Sequence, residues 1–415
     1  MEMQVKLDQK LARRIIEIVG ANGIPPEYGL QYFTVGLDTY LNVLEEEYIS
    51  SFIKEGGASF KLVVGIYGGG KTHFLYLVRD LAWKYNFATA YVELSQNECP
   101  FSKLEEVYKG IVRNITPPLS YEELLSGYER GINNFIKHWI GWKTNILRQS
   151  GIDVKEINSA ILEEVNTWKD LESISFARAL KNAVKTYLDR EEDDFDYIIQ
   201  WLLGESYESR IHKKFGILEK IDKGTAFIMI RSLVKWIKYL GYSGLIILFD
   251  EAEQIPSLSR KDKDRLLSNL RELIDECSHQ NFSNVMIFYA VPDKHFLEGR
   301  TQIYEALRQR LETVFEEINP SGVEIDLEKN NINPIEFLVE VGKRLKDIYE
   351  IAYSHNMPPN LANEAINKFA EKALEERYGD IGYKRLFVTK LITAFHYIRS
   401  RNSFPLWDEV SGTIK

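Results

Sequence analysis

Gly65-Ile66-Tyr67-Gly68-Gly69-Gly70-Lys71-Thr72 fits the pattern G-x-x-x-x-G-K-[ST]. Phe60-Lys61-Leu62-Val63-Val64 before it is short, apolar and β-branched, and predicts a strand. His73-Phe74-Leu75-Tyr76-Leu77-Val78-Arg79 after it carries apolar residues at helical spacing. A glycine loop between a strand and a helix is built to cradle phosphates. Glycines let successive backbone N–H groups turn inward without a Cβ clash. The helix presents free N–H groups and the positive end of its dipole. Gly65, Gly68, Gly69, Gly70, Lys71, Thr72 and His73 are therefore the expected nucleotide-binding residues. Lys71 is placed to reach the β- and γ-phosphates, and the Thr72 hydroxyl to ligate Mg²⁺.

A second stretch completes this chemistry. Gly241-Tyr242-Ser243-Gly244 turns into Leu245-Ile246-Ile247-Leu248-Phe249-Asp250-Glu251. Five apolar residues ending in two carboxylates predict a buried parallel strand with acids at its C-terminal end. Asp250 is expected to hold Mg²⁺ and Glu251 to polarise the water that attacks the γ-phosphate. The two stretches read as Walker A and Walker B motifs, with ATP and Mg²⁺ as cofactors and an ATPase as the activity.

The rest of the chain is arranged around these motifs. A helix over residues 8–22 ends at Gly23-Ile24-Pro25-Pro26, and a second runs from Leu37 to Lys54. Val35 and Gly36 lie ahead of the first strand, where they are candidates for the adenine pocket. Further strands are expected at 88–94, 285–290 and 323–327. From Phe101 to Tyr239 the periodicity is almost entirely helical. The strand at 285–290 ends at Val291-Pro292-Asp293, without the Asn, Ser or Thr of a γ-phosphate sensor, so Asp293 is the candidate there. Arg310, and after it Arg308, are candidates for an arginine finger reaching a neighbour's nucleotide, against an intramolecular salt bridge. Three helices at 334–351, 359–377 and 383–400 suggest a lid. In it Arg385, or its neighbour Lys384, could swing over the γ-phosphate.

Composition narrows the class. The chain has 415 residues, 45% hydrophobic and 27% charged, in the range of a globular protein with a large core. A net charge of −9 argues against a chain coated for nucleic acid, although the basic residues Arg260, Lys261, Lys263, Arg265 and Arg271 could form a local basic groove. Cys99 and Cys277 are far apart and match no metal-ligand spacing, so a reducing cytoplasm is the expected setting. No apolar run is long enough to span a bilayer. The acidic run from Asp189 to Asp196 lacks the glycine and terminal glutamate of a Ca²⁺ loop and reads as a solvated helix end.

Together these features resemble an AAA+ ATPase of the additional-strand, catalytic-glutamate kind. The resemblance implies an α/β three-layer core with a parallel sheet in the order 5-1-4-3-2. The departure is the helical block between the second and third strands. The implied plan is an N-terminal helical segment (1–57), a split core (58–100 and 241–330), a helical insertion (101–240) and a C-terminal lid (331–415). The chain is also similar to the ATP-binding proteins of BREX-type phage-defence systems and their relatives encoded beside DNA helicases. That similarity rests on Gly65–Thr72 with His73-Phe74-Leu75, on Tyr91-Val92-Glu93-Leu94 and on Trp201-Leu202-Leu203-Gly204-Glu205. It rests further on Lys214-Phe215-Gly216-Ile217 and on Gly241–Leu245 leading to Asp250-Glu251-Ala252-Glu253. It implies an ATPase that powers or regulates a DNA-directed complex, with a helicase or another defence subunit as partner; any contact with DNA could be indirect or through the local basic groove. Separately, an arginine finger acting in trans would require a homo-oligomer. The alternatives are a slow nucleotide-gated switch that binds a partner through the insertion, and a kinase or small-molecule transferase.

Overall fold

The computed structural model describes residues 7–252, 258–279, 281–297, 302–329, 332–376 and 382–410. Met1–Lys6, Glu253 of the second motif, and Gly379, Asp380 and Ile381 ahead of the last helix lie outside them. The chain begins with α1 (Gln9–Asn22), capped by the Asp8 carboxylate on the Leu11 N–H and ended by Gly23 in the left-handed region. Next comes α2 (Asp38–Val43), which continues as a π-helical stretch over Leu44–Phe52. The first half of the core is β1 (Ala58–Val64), α3 (Lys71–Lys84) and β2 (Ala88–Glu93). A long excursion follows: α4 (Leu104–Asn114), β3 (Ile115–Thr116), α5 (Tyr121–Leu125), α6 (Ile132–Gln149), α7 (Ile157–Asn166), α8 (Ile174–Asp189), α9 (Glu192–Leu202), α10 (Ser209–His212) and α11 (Ala226–Tyr239). The core resumes with β4 (Leu245–Asp250), α12 (Arg260–Ser278), β5 (Val285–Val291), α13 (Gln302–Leu311) and β6 (Glu324–Asp326). Three helices close the chain: α14 (Pro334–Tyr353), α15 (Pro359–Glu375) and α16 (Tyr383–Arg401).

The sheet has six strands in the order β3-β2-β4-β5-β1-β6. It differs from the expected five-stranded parallel sheet by β3, which pairs antiparallel on the outside of β2 and makes the sheet mixed. The five parallel strands run β6-β1-β5-β4-β2. Two residues carry no period-2 signal, so β3 is invisible in sequence. It is held by tertiary pairing, with the Thr89 and Thr116 hydroxyls 3.0 Å apart. Pro117-Pro118 follows at once and offers no N–H to extend the edge.

Alternation along the strands splits the core in two. Phe60, Leu62, Ala90, Val92, Ile247, Phe249 and Ile287 face α12, α13 and the helices of the excursion. There Trp139, Trp168 and Trp236 form a buried chain of edge-on rings 5.4 and 6.0 Å apart. Val63, Tyr91, Ile246, Leu248, Met286 and Phe288 face α3, the N-terminal helices and α14–α16. Parallel strands place their C-terminal ends together, and ligands of such sheets bind in the crevice beyond those ends. In this chain that crevice holds Gly65–Thr72 and Asp250-Glu251.

Candidate nucleotide site

The loop Gly65–Thr72 leaves β1 and enters α3 directly. Gly70 caps α3 at φ +101°, in the region that favours glycine, and no side chain occupies the capping position. The first N–H groups of α3 are therefore not satisfied from within the helix, which suits an anion. Lys71 is buried and donates to the carbonyls of Gly65 (3.0 Å) and Ile66 (3.3 Å). Its stem is thus already folded back over the loop it would serve.

Asp250 ends β4 only 1% exposed, a costly place for a carboxylate unless donors meet it. Three do. Thr72 Oγ1 donates to Oδ2 at 2.6 Å, Tyr91 OH to the same oxygen at 2.7 Å, and the Glu251 N–H to Oδ1 at 2.9 Å. With its proton on Asp250, Thr72 keeps its lone pairs for a cation. A hydroxyl and a carboxylate joined in this way fit Mg²⁺, which takes few protein ligands and brings its waters and the nucleotide phosphates. Among the described residues no group of three or more His, Cys, Asp or Glu is placed to hold a metal by itself. Glu251 follows at φ +59°, an uncommon backbone for a side chain other than glycine. Such strain recurs at functional positions.

Beside the loop lies an apolar cavity. Phe33, Thr34, Val35 and Leu37 form one wall, Phe337, Leu338, Val341 and Val388 another, and Gly68–Gly70 with His73 the floor. Val35 thus lines this cavity beside the glycine loop. Gly36, at φ +72°, turns the chain from that wall into α2. Thr34 Oγ1 donates to the Leu30 carbonyl (2.8 Å), so it accepts from His73 Nε2 (2.7 Å), which fixes the proton on that nitrogen. Burial, and then the Lys384 charge, lower the His73 pKa to about 4. The imidazole is neutral near pH 7.

The last helices close on the loop. A Cβ on Gly382 would lie 2.2 Å from the Tyr67 carbonyl oxygen and 3.0 Å from Gly68 Cα, so backbone meets backbone there. Lys384 Nζ donates to the Gly69 carbonyl (2.9 Å) and lies 3.5 Å from Glu328. Burial lowers its pKa, against the Glu328 charge, which raises it. Arg385 instead donates from Nε to the Asn22 carbonyl and from Nη1 to the Tyr67 hydroxyl, both at 2.7 Å. Both residues also line the cavity; Lys384 bonds the backbone of the glycine loop at Gly69, and Arg385 bonds the loop's Tyr67 side chain.

The remaining candidates lie on other elements. Arg310 on α13 makes a two-pronged pair with Asp275 on α12 (2.5 and 3.2 Å) and donates to the Ala306 carbonyl. Arg308 pairs with Glu305 and Glu312 along its own helix. The Asp293 carboxylate accepts from the Phe296 N–H and so caps a short turn after β5. The acidic residues 192–194 form the first turn of α9, with Glu192 and Asp193 exposed and Asp194 half-buried.

Sequence reasoning missed Tyr91, Thr34 and Glu328 as members of this site. Only Tyr91 left a usable trace, a polar-tipped ring two residues before the end of a strand next to β4. Both cysteines are buried and unpaired.

Compared with known families, the chain matches the BREX system ATP-binding protein BrxC/D family over residues 7–413. It belongs to that family. The match spans the glycine loop, the excursion of α4–α11 and α14–α16 together, so the family assignment covers the site and not the core alone. Neither the curated proteins nor the solved structures contain a match to this BrxC/D-family chain. Among the described residues no helix is long and apolar enough to cross a membrane.

Proposed function

We propose that this chain is a Mg²⁺-dependent ATP hydrolase on an AAA+ frame, working inside a DNA-directed phage-defence complex with a helicase or another defence subunit. The observation that carries it is the 2.6 Å bond from Thr72 to Asp250, with Lys71 and Glu251 on either side. In this reading the glycine-loop N–H groups and Lys71 bind the phosphates, and the cavity walled by Val35 takes the adenine. Thr72 and Asp250 hold Mg²⁺, which would supply charge neutralisation at the β- and γ-phosphates. Glu251 orients the attacking water and accepts its proton.

The AAA+ frame is supported by the parallel order β6-β1-β5-β4-β2, which is 5-1-4-3-2 when β3 is left out of the count, and by helices closing over the loop. The domain plan follows the same division, with 101–240 as an insertion into the core. Contact with DNA would be local, because the chain is acidic overall. On α12, Arg260, Lys261 and Arg265, together with Asp264 and Ser268, line a depression with more basic than acidic groups, which supports a local contact.

The test is ATP turnover by wild type and Glu251→Gln, with and without DNA. The substitution should lower turnover about 10²–10⁴-fold while leaving nucleotide affinity intact. Turnover by Glu251→Gln at the wild-type rate, or none by wild type in any condition, would overturn the hydrolytic reading.

A further inference from the structure

Asp250 Oδ2 accepts two hydroxyl donors at once, and they come from different layers of the protein. Thr72 belongs to the glycine-loop end of α3. Tyr91 belongs to β2, where it pairs in register with Leu248, so its ring lies diagonal to Asp250 on the same face of the sheet. The Tyr91 ring is 93% buried and packs on Tyr76 of α3 at 5.0 Å between centroids. A carboxylate can only accept, so the Tyr91 hydroxyl, 2.7 Å from Oδ2, donates to it. With Oδ2 held by Thr72 and Tyr91 and Oδ1 by the Glu251 N–H, the carboxylate cannot rotate without breaking a bond.

The other side of Tyr91 is a wall of a separate cavity. Its volume is about 180 Å³, room for several waters. Arg79, Asn114, Thr116, Tyr128 and Arg130 share that wall. All but Arg79 come from the excursion between β2 and β4. One tyrosine thus stands between the excursion and the carboxylate at the end of β4.

From this geometry we infer that Tyr91 is a positioning residue for Asp250, and that it sets how tightly the site holds the divalent cation accompanying the nucleotide. The inference rests on the Mg²⁺ reading above. A partner that orients a ligating carboxylate typically contributes 10–100-fold to metal affinity.

The experiment titrates a fluorescent ATP analogue against the full chain at a series of Mg²⁺ concentrations and in excess chelator. Wild type, Tyr91→Phe, Asp250→Asn and the double variant are compared. Phenylalanine keeps the ring packed on Tyr76 and removes only the hydroxyl. The expected result is a rise of about 10-fold in the Mg²⁺ concentration needed for half the affinity gain. Affinity in chelator should be unchanged, and Tyr91→Phe should add nothing in the Asp250→Asn background. A Tyr91→Phe curve that superimposes on wild type overturns the inference. So does an equal loss with and without Mg²⁺, which would mark a merely structural role. A wild type whose affinity ignores Mg²⁺ would instead overturn the Mg²⁺ reading itself.

Discussion

Gly382→Ala tests the closure of the last helices on the glycine loop. Gly382 precedes α16 at φ −57° and ψ 133°, a conformation open to any L-residue, so glycine is required there by space alone. The added Cβ would sit 2.2 Å from the Tyr67 carbonyl oxygen and 3.0 Å from Gly68 Cα. Non-bonded atoms prefer about 3.5 Å, so α16 or the loop must yield by ~1 Å. Overpacking of this size costs about 1–3 kcal/mol. At 1.4 kcal/mol per decade, that is a loss of roughly 5- to 150-fold if it falls on nucleotide binding. It should fall there, because the obstacle is the loop that carries Lys71 and Thr72. The assay is titration of a fluorescent ATP analogue, with hydrogen exchange followed at 66–70 and in the first turn of α16. Gly141→Ala is the control, because a Cβ in that helix meets nothing within 4 Å. It should be neutral or slightly stabilising. Affinity within about twofold of wild type with unchanged exchange would refute the argument that the two backbones must touch for nucleotide to bind.

Two further predictions concern His73 and Arg310. The folded chain keeps His73 neutral down to about pH 4, whereas an unfolded histidine protonates near 6.5. The stabilisation is therefore full above pH 6.5 and lost as pH falls toward 4. Its ceiling is ~3 kcal/mol, reduced because one edge of the ring opens onto the cavity. His73→Gln retains a donor for Thr34 but cannot titrate, so its urea midpoint should fall less than that of wild type between pH 7 and 4.5; equal slopes would remove His73 as the cause. For Arg310, a finger acting in trans must leave Asp275, and its loss should lower turnover about 10³-fold or more. Mixing Arg310→Ala with Lys71→Ala should then restore activity, each chain supplying what the other lacks. Failure to recover turnover on mixing would leave Arg310 as the partner of Asp275 only.

Much of the site is local in sequence. Gly65–Thr72 declares itself because phosphate binding requires particular residues at fixed short spacing between a strand and a helix. Asp250-Glu251 stands out because a five-residue apolar run ends there in two acids. The helices after Pro334 follow from periodicity and proline breaks. The contacts that complete the site join residues far apart in the chain. Tyr91 meets Asp250 across 159 positions, Lys384 meets Gly69 across 315, and Thr34 meets His73 across 39. Strand register decides the first, the packing of α16 on the loop the second, and the path of the chain before β1 the third. The same holds for which loop atoms Lys384 and Arg385 reach: adjacent positions on a helix point about 100° apart, so docking sends Lys384 to the Gly69 carbonyl and Arg385 to the Tyr67 hydroxyl. Sequence by itself determined which residues make up the loop and the acid pair, because both are written in neighbours. Only the tertiary structure decided which distant side chains hold those groups in place, because register and packing are properties of the whole fold.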